Sequence, residues 1–210
     1  KEDRTGTIAQ LNNQLEQVEL ALSRLARYNG GKKPLFTKRT VAVSEFAAVE
    51  AEHGRLQEVV AEIIRLGREQ QEIQNQRNKA ADLIARLEPW QSLDIPLNFQ
   101  GTKHTKITLG VIPPAVDAEK IKQELASEVP ASYFAVITQD KFQQYVFLIY
   151  HHQLQGPVEN VLKKYDFSPV SFSGMTGTAA EQIQAARQKV AELDRSYQEK
   201  EAAIAAYAVE

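Results

Sequence analysis

Three stretches of the chain repeat apolar residues at alternating intervals of three and four. The first runs Ile8, Leu11, Leu15, Val18, Leu22 and Leu25. These are the a and d positions of a heptad, and they predict a helix over about residues 5–29. Gly30 and Gly31 in "YNGGKKP" can take the left-handed cap conformation, and Pro34 bars the helix from resuming. A second pattern opens near Ser44, which has the chemistry of an N-cap. It continues through Val49, Glu52, Leu56, Val59, Ile63, Leu66, Gln70, Ile73, Arg77, Ala80, Ile84 and Leu87 without a break in spacing. At 1.5 Å per residue the predicted helix over 44–88 is a rod of roughly 65 Å. Gln70 and Arg77 weaken the seam locally; they either set its register or mark where a partner helix departs.

The third pattern is Ala179, Ile183, Ala186, Val190, Leu193, Tyr197, Lys200, Ile204 and Tyr207. Thr178 and Glu181 stand at its start with the spacing of a capping box. It predicts a returning helix over 179–210, still in phase at its last residue and so expected to continue. A compact bundle would use the same apolar residues. Heptads sustained over the length of the second pattern favour an extended coiled-coil hairpin or stalk instead.

Between 89 and 178 the period changes from that of a helix to that of a strand. "TKITLGVIPP" alternates Ile107, Leu109 and Val111 and stops at Pro113 and Pro114. Asp117 can cap a helix carrying Ile121, Leu125 and Val129, closed by Pro130. "SYFAVITQ" and "FQQYVFLIYHH" read as strands joined by a tight "DK" turn, an antiparallel hairpin. "GPVENVLKKY" is a helix with Pro157 at its first position, and "FSPVSFSG" is a fourth strand. The order is βαββαβ, which predicts a ferredoxin-like lobe: four antiparallel strands with two helices on one face. The predicted class is α+β, a stalk of three heptad helices carrying that lobe. Its domains are 1–88, 89–178 and 179–210.

Composition narrows the function. The chain opens on Lys1, as a piece of a longer protein would. Residues 89–178 hold 7 Lys, no Arg and 8 acidic side chains, and the whole chain carries a net charge of −2. No segment has the basic excess that a phosphate backbone selects, so no nucleic-acid partner is expected. Without cysteine there is neither a disulfide framework nor a thiolate metal site, which fits a cytosolic compartment. The longest apolar run, Ala202 to Val209, is eight residues. A membrane helix needs about 20, so no membrane insertion of this chain is expected.

Candidate chemistry is sparse. His151 and His152 are adjacent on a predicted strand, which would point them to opposite faces and keep them from chelating one metal. His104 lies in the loop "GTKHTK" with no partner at ligand spacing. "SGMTGT" could bind an anion on its free N–H groups, but it lacks the Lys and Ser/Thr of a P-loop. A phosphatase of the acylphosphatase kind needs an arginine clamp, and the lobe has none. An RNA-recognition module needs stacking aromatics in a basic setting; Tyr145 and Phe147 share a face but are expected to pack against a neighbour. No catalytic, cofactor or metal residues are nominated, and the chain reads as non-catalytic.

"LEPWQSLDIPL", "GTKHTKITLGVIP", "VITQDKFQQYVFLIYH" and "YDFSPVSFSGMTGTAAEQI" together resemble subunit I, also called subunit a, of the V-type and archaeal-type rotary ATPases. The resemblance covers Leu87 to Ile183; the flanking heptads match in kind only. Its most specific part is a joint of Leu87, Pro89, Trp90, Leu93, Asp94, Pro96 and Leu97, supported by Gly177, Thr178, Glu181 and Ile183. It implies a stator on the cytoplasmic face of a membrane-bound complex. Such a stator links peripheral stalks built of subunits E and G to a membrane half that translocates H⁺ or Na⁺ beside the rotor ring. Two family features are missing from this sequence: an amino-terminal segment that helps build another lobe, and the transmembrane part with its essential arginine. The fragment is therefore expected neither to conduct ions nor to hold a nucleotide, and to meet the rotor ring only through that absent part. The stalk-docking surface is unassigned. On this reading Trp90 and Leu93 plug the junction between helix and lobe, and Pro96 stiffens its exit.

A second reading is a ligand-sensing regulatory domain of the amino-acid-binding kind, inserted in a dimerising coiled coil. A third, a generic coiled-coil scaffold, leaves the joint motif unexplained.

Overall fold

The computed structural model describes residues 5–28, 42–43 and 51–208. Among the described residues the elements follow in the order α1 (Thr5–Leu25), α2 (His53–Leu87), β1 (Thr105–Ile112), α3 (Ala118–Glu128), β2 (Ser132–Gln139), β3 (Gln144–His151), α4 (Gln155–Lys163), β4 (Ser168–Val170) and α5 (Ala179–Ala206). The expected cap at Ser44 and the stop at Gly30, Gly31 and Pro34 lie outside the described residues. No helix among the described residues is long and apolar enough to cross a membrane.

Two compact units divide the chain, one of residues 1–78 with 191–210 and one of residues 79–190. The division falls inside α2 and α5 rather than at the changes of period near 88 and 178. The reason is apolar: Leu83, Ile84 and Leu87 of α2 and Ala179 and Ile183 of α5 belong to a core shared with the sheet.

In the first unit the heptad seams of α2 and α5 are covered over much of their length, although Leu56 is exposed. Ile63, Leu66 and Ile73 of α2 and Leu193 and Ile204 of α5 are buried. Two polar seam positions carry ion pairs between these helices, Arg77 with Asp194 at 2.6 Å and Lys200 with Glu69 at 2.7 Å. The pairs run in opposite chain directions, so within this unit the two helices are antiparallel. Arg77 thus does not weaken the seam unanswered; it is paired across it with Asp194. The stripe on α1 differs from expectation. Ile8, Leu11, Leu15 and Leu22 are all more than half exposed, while Ala21 is buried. Val18, Ala21, Leu22 and Leu25 of α1 line a groove with Leu56, Val59 and Ile63 of α2, and the Arg24 guanidinium fills the space a side chain at Gly67 would need. Toward its carboxyl end the stripe is partly covered, with Leu25 half-buried.

In the second unit the order is βαββαβ, and the sheet runs β2-β3-β1-β4 with every pairing antiparallel. Strand β3 alternates buried and half-buried positions along its length. Val146, Leu148 and Tyr150 join Ile121, Leu125, Val158, Val161 and Leu162 from α3 and α4 in one core. Tyr145 faces the other way, with Leu109 and Val111 of β1. Period-2 alternation therefore gives the sheet two apolar faces, one of which the helices cover.

Most strand limits follow from the sequence; several details do not. The β2–β3 connection is a four-residue loop, Asp140–Gln143, not a tight turn at "DK". The Asp140 carboxylate accepts from the N–H groups of Phe142 and Gln143 at 2.7 and 2.9 Å and organises it. An extra residue at Ile137 breaks the β2–β3 register, a bulge that alternation cannot reveal. Pro157 is the third residue of α4, still within the first turn, where no intrahelical bond needs its N–H. Strand β4 spans three residues rather than the whole of "FSPVSFSG". Asp117 does cap α3, accepting from the Glu119 N–H at 3.0 Å.

Candidate functional site

Helix α2 does not simply break at Pro89. After Leu87 the backbone tightens into a 3₁₀ turn, Glu88–Trp90, with Pro89 in its first positions and Leu87 still in the right-handed helical region. Pro89 lacks an N–H, and a tight turn at a helix end can absorb that loss. Two further turn bonds, Gln91 N–H to Glu88 O at 3.1 Å and Leu93 N–H to Trp90 O at 2.9 Å, carry the chain round. The tightening turns Leu87 and Trp90 inward together, 0% and 1% exposed.

Trp90 sits between two aromatic neighbours. Its ring meets Tyr145 edge-on at 5.5 Å between centroids and Phe172 at 5.7 Å. Edge-to-face pairs place a positive ring edge on a negative face, worth about 0.5–1.5 kcal/mol each beyond burial. Leu97, Ala179 and Ile183 complete the buried cluster, with Leu93, Ile137 and Met175 packed against it. The end of α2, the sheet and the start of α5 therefore meet in one core.

Backbone bonds fasten the same place. The Leu97 N–H donates to Gly177 O at 2.7 Å, and Gly177 has a φ of 73°, a conformation that favours glycine. Next to it the capping box is made in both directions. Thr178 N–H donates to Glu181 Oε2 at 2.8 Å, and Glu181 N–H to Thr178 Oγ1 at 3.2 Å.

Of the joint residues named from sequence, Leu87, Trp90, Leu93 and Leu97 come together in this cluster. Pro89 is half-buried beside it, and Asp94 and Pro96 are exposed. Phe172, Ala179 and Tyr145 belong to the site although the motif did not include them. Tyr145 had been expected to pack against a neighbour, and that neighbour is Trp90. Burial pushes the Tyr145 hydroxyl above its ordinary pKa, and the Asp140 carboxylate that accepts its hydrogen bond at 2.9 Å adds to the rise. Asp140 itself is held below the usual carboxylate range by the two backbone N–H groups of its loop.

The histidines require a correction. Strand β3 ends at His151, and His152 opens a 3₁₀ turn, His152–Leu154. Leaving the strand cancels the alternation, so the two rings stack on one side at 4.9 Å instead of pointing to opposite faces. His104 lies next to them, 6.2 Å from His151 between ring centroids. It is held there because Thr105 pairs with His151 in the sheet and the His152 N–H donates to His104 O at 3.0 Å. One ring nitrogen from each of the three lies within 4.8 Å of the others. The signal was available: in an antiparallel βαββαβ sheet the start of β1 lies opposite the end of β3.

A cleft of about 390 Å³ opens over the helix-covered side of the sheet, lined by Lys106, Thr108, Tyr150, Glu159, Lys163 and Phe167 among others.

No family model matches the sequence, and no curated protein matches it. Among solved structures, the crystal structure of the cytoplasmic N-terminal domain of subunit I, homologue of subunit a, of V-ATPase is similar. The TM-score is 0.48 at 11% sequence identity, over 92% of this chain and 64% of that one. The chain thus spans less than two thirds of that structure's length.

Proposed function

We propose that this chain is a non-catalytic stator element of a rotary V-type ATPase. In that role it joins peripheral stalks of E and G subunits to the membrane half on the cytoplasmic side. The reading rests on the joint motif, and the observation that carries it is the Trp90 cluster. A force-bearing linker needs helix ends that cannot swivel on the body they carry. Here α2 leaves and α5 departs through one buried core, tied by the Leu97–Gly177 bond and the Thr178–Glu181 box. The lobe is read as ferredoxin-like, since its strand order is that of the split βαβ sandwich. Co-purification with an E–G stalk heterodimer at moderate salt tests the role. Retention that is lost on Trp90→Ala is the expected outcome; no retention of the folded chain would overturn it.

The cleft beside Tyr150 favours a second reading, a ligand-sensing regulatory domain. Apolar walls with Lys106, Glu159 and Lys163 at the lining suit a small zwitterion such as an amino acid. A thermal shift with amino acids and nucleotides at saturating excess separates the two, because only a sensor gains stability from its ligand.

A further inference from the structure

We infer that His104, His151 and His152 form a binding site for one divalent transition-metal ion of the Zn²⁺, Ni²⁺ or Cu²⁺ class. Three neutral imidazoles with no carboxylate suit these borderline ions and not Mg²⁺ or Ca²⁺, which demand oxygen. The site has the three protein ligands of an open centre, leaving further positions to water or to another group.

Geometry supports a poised site. Two imidazole nitrogens on a tetrahedral Zn²⁺ stand about 3.4 Å apart, given metal–nitrogen bonds near 2.0–2.1 Å. The three nitrogens already lie within 4.8 Å of one another. The remaining closure is within reach of side-chain rotation, since imidazole χ2 is a broad torsion and His104 and His152 are exposed. Main-chain placement needs no change. His104 is fixed by Thr102, whose hydroxyl oxygen accepts from the N–H groups of His104 and Thr105 at 3.3 and 3.2 Å. His151 is fixed by sheet pairing, its N–H donating to Ala131 O at 3.3 Å. One adjustment is required. His151 Nδ1 accepts from the Gln153 N–H at 3.4 Å, and a ligating imidazole has the metal on one nitrogen and a proton on the other. That bond is given up, and at its length it is a weak one.

An ion here would clip the loop before β1 to the end of β3, where the central strand pair of the sheet finishes. It would act as a local staple independent of the Trp90 cluster, so its fate says nothing about the stator reading.

Isothermal titration of the chain with ZnCl₂ or NiCl₂ in a non-chelating buffer tests the proposal, with MgCl₂ as the comparison. One transition ion per chain is expected, with no Mg²⁺ binding and a melting temperature that rises on adding metal. His104→Ala, His151→Ala and His152→Ala should each weaken binding at least tenfold, while His53→Ala changes nothing. Far-UV circular dichroism of each variant verifies that it folds. Absence of transition-metal binding overturns the site. So does binding that survives His104→Ala undiminished, or that Mg²⁺ matches.

Discussion

The indole of Trp90 and the phenol ring of Tyr145 meet at 88°, with the Trp90 side chain 1% exposed. This contact joins a turn at the end of α2 to a central strand, so removing the ring empties a core shared by three elements. Trp90→Ala is expected to cost about 3–5 kcal/mol, and Trp90→Phe less, since a smaller ring keeps part of the packing. Urea unfolding followed by circular dichroism measures both. A loss under about 1 kcal/mol for the alanine variant would contradict the buried packing described.

The Thr178–Glu181 box caps the 28-residue helix α5 at the point where Gly177 receives the Leu97 N–H. Thr178→Ala leaves the Glu181 N–H without its acceptor and should cost about 1 kcal/mol. Gly177→Ala should cost more than the cap. Its φ of 73° disfavours a side chain, and a Cβ there would stand 2.5 Å from Glu181 Oε2. Denaturant midpoints of the two variants, compared side by side, decide the order.

These elements differ in how far the sequence announced them. Helices α2 and α5 and the order βαββαβ were legible because burial imposes periods of 3.6 and 2 on the apolar residues, and α1 because its apolar stripe keeps the helical period even where it is exposed. Leu87 and Trp90 stood out beside Pro89, but Phe172 did not, since nothing local separates a strand residue from one folding back onto a distant turn. The histidines were misread for one reason. Alternation was carried one residue past His151, and a single residue outside a strand reverses which way a side chain points. The exposure of Ile8, Leu11 and Leu15 of α1 was equally hidden: a heptad shows that a stripe is apolar, not which neighbour covers it.

Gly110 of β1 lies under the ring of Phe167, which occupies the space a Cβ would need. Gly110→Ala is expected to destabilise by about 1–3 kcal/mol through overpacking. Phe167→Leu in the same chain should recover part of that loss, because the obstacle is side chain on one side. Thermal melts of the single and double variants provide the check; no recovery would place the clash on Ser168 O, 2.7 Å from the same Cβ position.

Acid should act on the β2–β3 loop late, below the ordinary carboxylate range. The Asp140 carboxyl is held below its ordinary value of 3.8 by the N–H groups of Phe142 and Gln143. A carboxyl lowered in the folded state stabilises fully above its unfolded pKa, and that stability is lost as pH falls through the folded value. Asp140→Asn should therefore weaken the protein at neutral pH and flatten the part of the decline below pH 3.8 that Asp140 supplies. Urea midpoints measured across that range test it, and parallel curves for variant and parent would rule it out.

Arg77 occupies a seam position of α2 and reaches Asp194 of α5 at 2.6 Å. Both side chains keep contact with water, 33% and 43% exposed, so screening limits what the pair adds. Its value lies in register: sliding α5 along α2 would strand Arg77 among apolar residues and part Lys200 from Glu69, 2.7 Å away. A double-mutant cycle with Arg77→Ala and Asp194→Ala should give a coupling of about 0.5–1 kcal/mol that shrinks in high salt. Exchanging the two, Arg77→Asp with Asp194→Arg, should restore most of what either reversal alone loses. A coupling near zero at low salt would leave the register to Leu66, Ile73 and Leu193, whose burial is indifferent to charge.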